Sequence, residues 1–269
     1  DLVLPQGMPE RNNREEIDAQ LPEPHRAFVD HLYEKYQVPR DGQAGPRSRF
    51  VRSNEVARRQ ADVVLDSDVD IFAMGIGSPP EFIAAAKGDG KRVMALVGNP
   101  KHARRALAQG AEILVAQGHD SGAHTGPIGT FSLVPQITAM AGDVPVLAAG
   151  GVATGQHIVA AMAMGAVGVR VGTAWLVTKE GHTSAKLMPK LLAANSDDTV
   201  ITRSKSGKTN RQLRTAYTDE WEAADAPEPL KMPYQDILVG DLLGAIDRYE
   251  VEPLLGSGLG QGIAWFKVE

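Results

Sequence analysis

The sequence predicts an α/β protein of the (β/α)8 barrel type, and three observations carry that expectation. Short β-rich apolar runs alternate with helical patterns through the middle of the chain, as in βα units that build a parallel sheet. Most of those runs are apolar throughout rather than alternating, as strands covered on both faces are. The Gly-rich motifs follow strand ends directly, and two of them follow successive strands, where a barrel gathers its phosphate site.

The elements follow in order. Asp1–Leu4 reads as a strand already inside a domain. From Pro5 to about Ala61 the rhythm breaks, with one amphipathic helix whose Phe28, Val29, Leu32, Tyr33 and Tyr36 form a stripe behind Pro24. Polar, Pro- and Gly-containing stretches surround it, so the segment is expected to be a long excursion covering a binding site. Asp70–Met74 is the second strand, followed by a helix framed by Ser78, Pro79 and Gly88. Arg92–Val97 is the third, and the helix after it has Asn99 as N-cap, Pro100 in its first turn and Gly110 as its stop. Glu112–Ala116, Pro145–Ala149 and Gly168–Gly172 complete the set. Residues 1–196 are thus expected to form the barrel with its insertion at about 5–61, and residues 197–269 an extension packing on it. Six strands are two short of a closed barrel, and an open parallel sheet fits the count as well; the position of the motifs favours the barrel.

Composition narrows the function classes. With 28 Lys plus Arg against 33 Asp plus Glu, the net charge of -5 offers no positive field for a polyanion, so nucleic acid is not an expected partner. Gln156, His157 and Arg170 interrupt the longest apolar stretch, so no membrane span is expected. The start, DLVLPQGMPERNN, lacks the basic and apolar parts of a signal peptide, and a cytoplasmic protein is expected. Cysteine is absent, which removes thiolate chemistry and thiolate metal sites; no His/Asp/Glu cluster has metal-ligand spacing either, so no metal is expected.

Three segments carry chemistry. AQGHDSGAHTG, residues 116–126, sets three glycines around two histidines, a loop that lets backbone approach a flat ligand while holding an imidazole at the mouth of the sheet. A flexible connector is the plain alternative. VLAAGGVATG places Gly150 and Gly151 between a strand end and a helix beginning near Thr154 or Gly155, where exposed N–H groups and the helix dipole suit a phosphate. Alone, such a pair is more often a tight structural turn. GVRVGTAW then adds Gly172 and Thr173, and paired turns on the last two strands are more specific than either one.

AQGHDSGAHTG, LVPQI, PVLAAGGVATG and AMGAVGVRVGTAWLVT, in this order and spacing, resemble the C-terminal half of the FMN barrel of the nitronate monooxygenase (2-nitropropane dioxygenase) family. The resemblance spans about Asp70 to Glu180, is looser over Asp1 to Arg14, and resumes in TRSKSGKTNRQLRTAYTDEWEAADAPEPLKMP. It implies FMN-dependent oxidation of nitronates or nitroalkanes with O2 to a carbonyl compound and nitrite. His124 corresponds to the family's active-site base. Gln117 and Gly122 correspond to flavin contacts, Gly150 and Gly151 to the phosphate turn, and Arg170, Val171, Gly172 and Thr173 to the last phosphate-side segment. Two departures stand out: Ala123 replaces a glycine of the family's acidic-Ala-Gly-Gly-His run, and Arg170 stands where glutamine is frequent. The family's first two βα units and final helix have no counterpart here, so the sequence is expected to begin and end inside a longer polypeptide.

Two other readings remain. An NAD(P)H-dependent flavin reductase of enoyl thioesters shares the fold and the histidine loop, and a non-catalytic fragment would account for the strand deficit. Enzymes resembling IMP dehydrogenase need a cysteine nucleophile that this sequence lacks. A homo-oligomer is left open.

Overall fold

The structure, a computed structural model, describes residues 2–3, 8–11, 13–77 and 79–267. In chain order the strands are β1 (Leu2–Val3), β2 (Ile71–Gly75), β3 (Arg92–Val97), β4 (Ile113–Gln117), β5 (Ala123–His124), β6 (Val146–Ala149), β7 (Gly168–Arg170), β8 (Thr199–Thr202) and β9 (Asn210–Leu213). The helices are α1 (Arg14–Ala19), α2 (Glu23–Lys35), α3 (Asn54–Leu65), α4 (Pro80–Gly88), α5 (Pro100–Ala108), α6 (Thr130–Thr138), α7 (Gly155–Ala163), α8 (Leu187–Ala193), α9 (Ala216–Glu222) and α10 (Tyr234–Arg248).

Six strands make one parallel sheet in the order β1-β2-β3-β4-β6-β7. Each of the six expected strands is therefore present, all parallel and in sequence order; Asp1, Leu4 and Ser78 lie outside the described residues. The last strand is shorter than expected. It ends at Arg170, because Gly172 (φ -124°, ψ -54°) already caps a 3-10 turn over Thr173–Val177. Helix α5 follows its end signals, whereas α4 runs through Gly88 to an Asp89 cap and Gly90 takes the positive φ of 77°. Asn99 accepts from the His102 amide at 2.8 Å, and Gly110 takes the positive φ of 95° that ends α5.

Two apolar clusters back this sheet, one around Phe72, Met74 and Ile83, the other around Leu114, Leu133 and Ile137. The excursion departs from expectation by holding three helices rather than one, of which α3 packs as the crossover helix of the first βα unit. α1 and α2 pack instead on α10, and Leu32, Trp221, Leu242 and Ile246 share a third cluster. The excursion and the tail thus form one body, which includes a small antiparallel sheet in the order β5-β9-β8. No helix of the described residues is long and apolar enough to cross a membrane.

Candidate active site

Two cavities open where the six parallel strands end, and they share Gln117, Gly122, Ala123 and Arg170. The first, about 260 Å³, is lined by Gly150, Gly151, Val171, Gly172 and Thr173 among others. The second, about 550 Å³, reaches from Gly75 and Val97 past His124 to the loop 203–209. The expected site residues Gln117, Gly122, Gly150, Gly151, Arg170, Val171, Gly172 and Thr173 all line the first cavity, with His124 beside it in the second. Three loops separated by up to about fifty residues converge because their strands are neighbours in one parallel sheet.

Local geometry explains the glycines. Gly150 and Gly151 have φ of 98° and 73°, a region side chains rarely enter, and a Cβ on Gly150 would lie 2.8 Å from Thr130 Oγ1. A Cβ on Gly122 would meet the Gly260 nitrogen at 2.6 Å. Gly172 differs. A Cβ there would meet nothing within 4 Å, so its bareness leaves cavity rather than avoiding a clash.

His124 sits on β5, which pairs antiparallel with β9 through His124 and Asn210. Its Nε2 lies 2.8 Å from the Ser206 hydroxyl, and its backbone carbonyl accepts from Gln117 Nε2 at 2.9 Å. Loss of water pushes the imidazole pKa down to about 4, assisted by the cations Arg47, Arg52 and Lys208. At neutral pH this histidine is therefore uncharged. Lys205, next to Ser206, is pushed down to about 8 by desolvation and then by Arg47. Arg47 and Arg52 face the buried Asp236 of α10 at 3.3 and 3.9 Å.

The loop that carries Ser206 is fixed from below. Tyr217 Oη and Gln235 Nε2 both donate to the Ser204 carbonyl, at 2.9 and 2.6 Å. Arg211, buried on β9, donates to the His119 carbonyl at 3.1 Å and so ties the histidine loop to the second sheet. His119 itself bonds the Gly126 carbonyl through Nδ1 and lines neither cavity. His157 completes the N-terminal cap of α7 with Thr154. No group of three or more metal-ligating side chains occurs among the described residues.

Other residues of the cavities are not singled out by the motifs above. Ser121 lines the first cavity with a buried hydroxyl that finds no hydrogen-bond partner among the described residues. Gly258 and Gly262, from the GSGLGQG run, line the same cavity, and Gly260 donates its amide to Thr173 Oγ1 at 3.0 Å. The glycine spacing of that run was the available clue.

A family model for nitronate monooxygenase matches residues 36–255. The chain belongs to the nitronate monooxygenase family. This is a family of flavin oxidoreductases. Among its relatives is a Mycobacterium tuberculosis protein named as a monooxygenase, Rv1533, 43% identical over 84% of this chain and 62% of that protein. A Staphylococcus aureus protein named as a nitronate monooxygenase is 29% identical over 74% of this chain and 59% of its own length. A Rhodococcus jostii protein named as a hydroxy-methyl-oxo-octahydroindene-carboxyl-CoA dehydrogenase is 34% identical over 62% of this chain and 47% of its own. The chain thus spans roughly half to three fifths of these curated relatives. Among solved structures, nitroalkane oxidase from Streptomyces ansochromogenes superposes with a TM-score of 0.79 at 25% identity, covering 98% of this chain and 74% of that one. The fold expected from the sequence is the one this match supports.

Proposed function

We propose that the first cavity holds the phosphate end of FMN and that the second presents a nitroalkane or nitronate to His124, for oxidation with O2 to a carbonyl compound and nitrite. The observation that carries this reading is the joined trough: a glycine-walled end with one orphaned hydroxyl, continuous with a partly buried imidazole. Ser121 supplies an orphaned hydroxyl, and the bare Gly172 leaves the room a phosphate needs. Gly150, Gly151, Gly172 and Thr173 would hold the phosphate through backbone and hydroxyl donors, and Gln117, Gly122 and Arg170 would line the body of the flavin. When bound, the flavin supplies the electron acceptor for the oxidation.

The chain's own residues do the rest. In the tautomer that donates Nε2–H to Ser206, the Nδ1 lone pair of His124 is free to take the α-proton of a neutral nitroalkane. Proton transfer leaves an imidazolium beside the nitronate, and Arg170, which lines the same cavity, adds positive charge to balance it. Summed over two nitronates, one O2 gives one oxygen atom to each carbon as its carbon–nitrogen bond breaks, and each nitrogen leaves with its own two oxygens as nitrite, so atoms and electrons balance.

His124→Asn tests the assignment. Flavin-replete variant is expected to lose about 10²- to 10⁴-fold in nitrite release from neutral nitroalkane while retaining a larger share of its activity on preformed nitronate. Equal losses on both forms would remove proton abstraction from the role. NADPH oxidation with an enoyl thioester and no nitrite would assign the trough to thioester reduction.

A further inference from the structure

Past His124 the trough continues. A third cavity of about 300 Å³ is lined by His102, Arg105 and Lys208 over an apolar floor that includes Ile76, Leu96 and Val97. Ile76, Leu96, Val97, His102 and Lys208 belong to both this cavity and the one that holds His124, so the two spaces are joined. A small nitroalkane fills only a fraction of such a volume.

The electrostatics of this extension are one-sided. No acidic residue lines either cavity among the described residues, although the chain as a whole carries a net charge of -5. Arg105 and Lys208 come from separate elements, α5 and the 203–209 loop, and neither forms an ion pair among the described residues. Arg203 also reaches the His124 cavity, and Arg52 lies close enough to Lys208 to depress its pKa after burial has done so. Lys208 is half-buried, and the desolvation that lowers its pKa is a cost that an anion bound beside it would offset. An apolar floor leading to a cationic end fits a ligand with a carbon chain and an anionic terminus.

We propose that this extension is a phosphate subsite: Lys208, Arg105 and His102 receive a phosphate carried at the far end of the substrate, while the reactive end lies at His124. The proposal rests on the nitronate reading for the reactive end only. Two cations from separate elements, with the His102 imidazole as a further hydrogen-bonding group, suit a phosphate, with its higher charge and several acceptor oxygens, better than a carboxylate. The phosphate can belong to the substrate itself or to the diphosphate of a carrier.

The test uses the flavin-replete protein with ω-nitroalkyl phosphates of increasing chain length, against nitroalkanes and ω-nitro carboxylates of matched length. A chain-length optimum with kcat/KM at least about tenfold above the uncharged analogue is expected, since one charge-assisted hydrogen bond contributes on that order. Arg105→Glu, which lies outside the His124 cavity, should abolish the preference while leaving 2-nitropropane kinetics unchanged. Coenzyme A competing with the phosphate substrate would place the group on a carrier; its failure to compete would place it on the substrate. Equal preference for carboxylate, or a preference that survives Arg105→Glu, overturns the proposal. If no nitro compound is turned over, the nitronate reading fails separately. Calorimetric titration with inorganic pyrophosphate then decides the subsite: weaker binding to Arg105→Glu than to the wild type sustains it, and equal binding refutes it.

Discussion

A histidine that is to remove a proton at neutral pH has to be uncharged, and the surroundings of His124 secure that. Burial depresses its folded pKa to about 4 against an ordinary 6.5, with Arg47, Arg52 and Lys208 as secondary causes. Between those two values the folded state binds fewer protons than the unfolded one, so stability rises with pH across the window and is lost as pH falls through it. The acid limb of kcat/KM for a neutral nitroalkane should accordingly lie near pH 4. At pH 5.5 such a base keeps nearly full activity, whereas one with the ordinary value would retain about a tenth. A limb near 6.5 would show that His124 is not held neutral by its site. At the other end of the trough, Gly151 is a poor probe because its φ is 73° and a Cβ would lie 3.2 Å from Asp120. Gly172→Leu is the cleaner variant: φ is ordinary and nothing lies within 4 Å, so the fold should survive while flavin content falls at least tenfold. Undiminished flavin absorbance in purified Gly172→Leu would move the phosphate elsewhere. At this scale the sequence was informative wherever glycine or histidine marked the backbone. It was silent at Ser121 and Ser206, whose residue type is common and whose importance comes only from neighbours distant in the chain. Ala123 is intermediate: it adopts φ 60°, the conformation in which the family's glycine is at ease, so the departure noted in the sequence is a local strain carried without loss of the loop.

Among the elements, the six parallel strands were legible because their residues are apolar on both faces, and their helices because caps and stops stand at the ends. β9 was not, and its composition says why. Asn210, Arg211, Gln212 and Leu213 are all buried, so a strand that is mostly polar contributes no hydrophobic period to read. Its burial is made tolerable by partners such as Thr199, which accepts from Arg211 at 2.8 Å. The excursion was equally opaque, since what fixes it is contact with α10. A Cβ on Gly45 would lie 1.9 Å from the Gly240 carbonyl oxygen, and Gly45 donates its amide to Asp241 at 3.1 Å. Close backbone passage there sets the path of the chain that carries Arg47 and Arg52 toward Asp236. Gly45→Ala should therefore destabilise by about 1–3 kcal/mol, as overpacking does, measured by denaturant midpoint. It should also raise the acid limb of the pH profile, because displaced arginines no longer repel a proton from His124. An unchanged midpoint would mean that the crossing relaxes freely and that glycine is incidental.

For the molecule as a whole, the site lies between two bodies of different construction. The parallel sheet with its helices supplies the glycine turns of the first cavity, while the body formed by α1, α2, α9, α10 and the small sheet supplies Ser206, Arg47, Arg52 and Lys208. No sequence pattern couples segments some two hundred residues apart, so this shared core could not be read before the structure. Its members are fully buried at Leu32, Leu242 and Ile246, in a cluster separate from those behind the parallel sheet. Separate clusters imply that one body can loosen while the other stays folded. Leu242→Ala removes a side chain with no exposed surface and should cost about 2–5 kcal/mol. Native-state hydrogen exchange would locate that cost: amides of α10 and β9 should lose protection together, while those of β3 and β4 keep theirs. Because β5 pairs with β9, His124 would be released with that body, and turnover of neutral nitroalkane should fall more steeply on warming than flavin content does. A uniform loss of protection across both sheets would instead make the two bodies one cooperative unit, and would remove the basis for expecting the His124 half of the trough to open first.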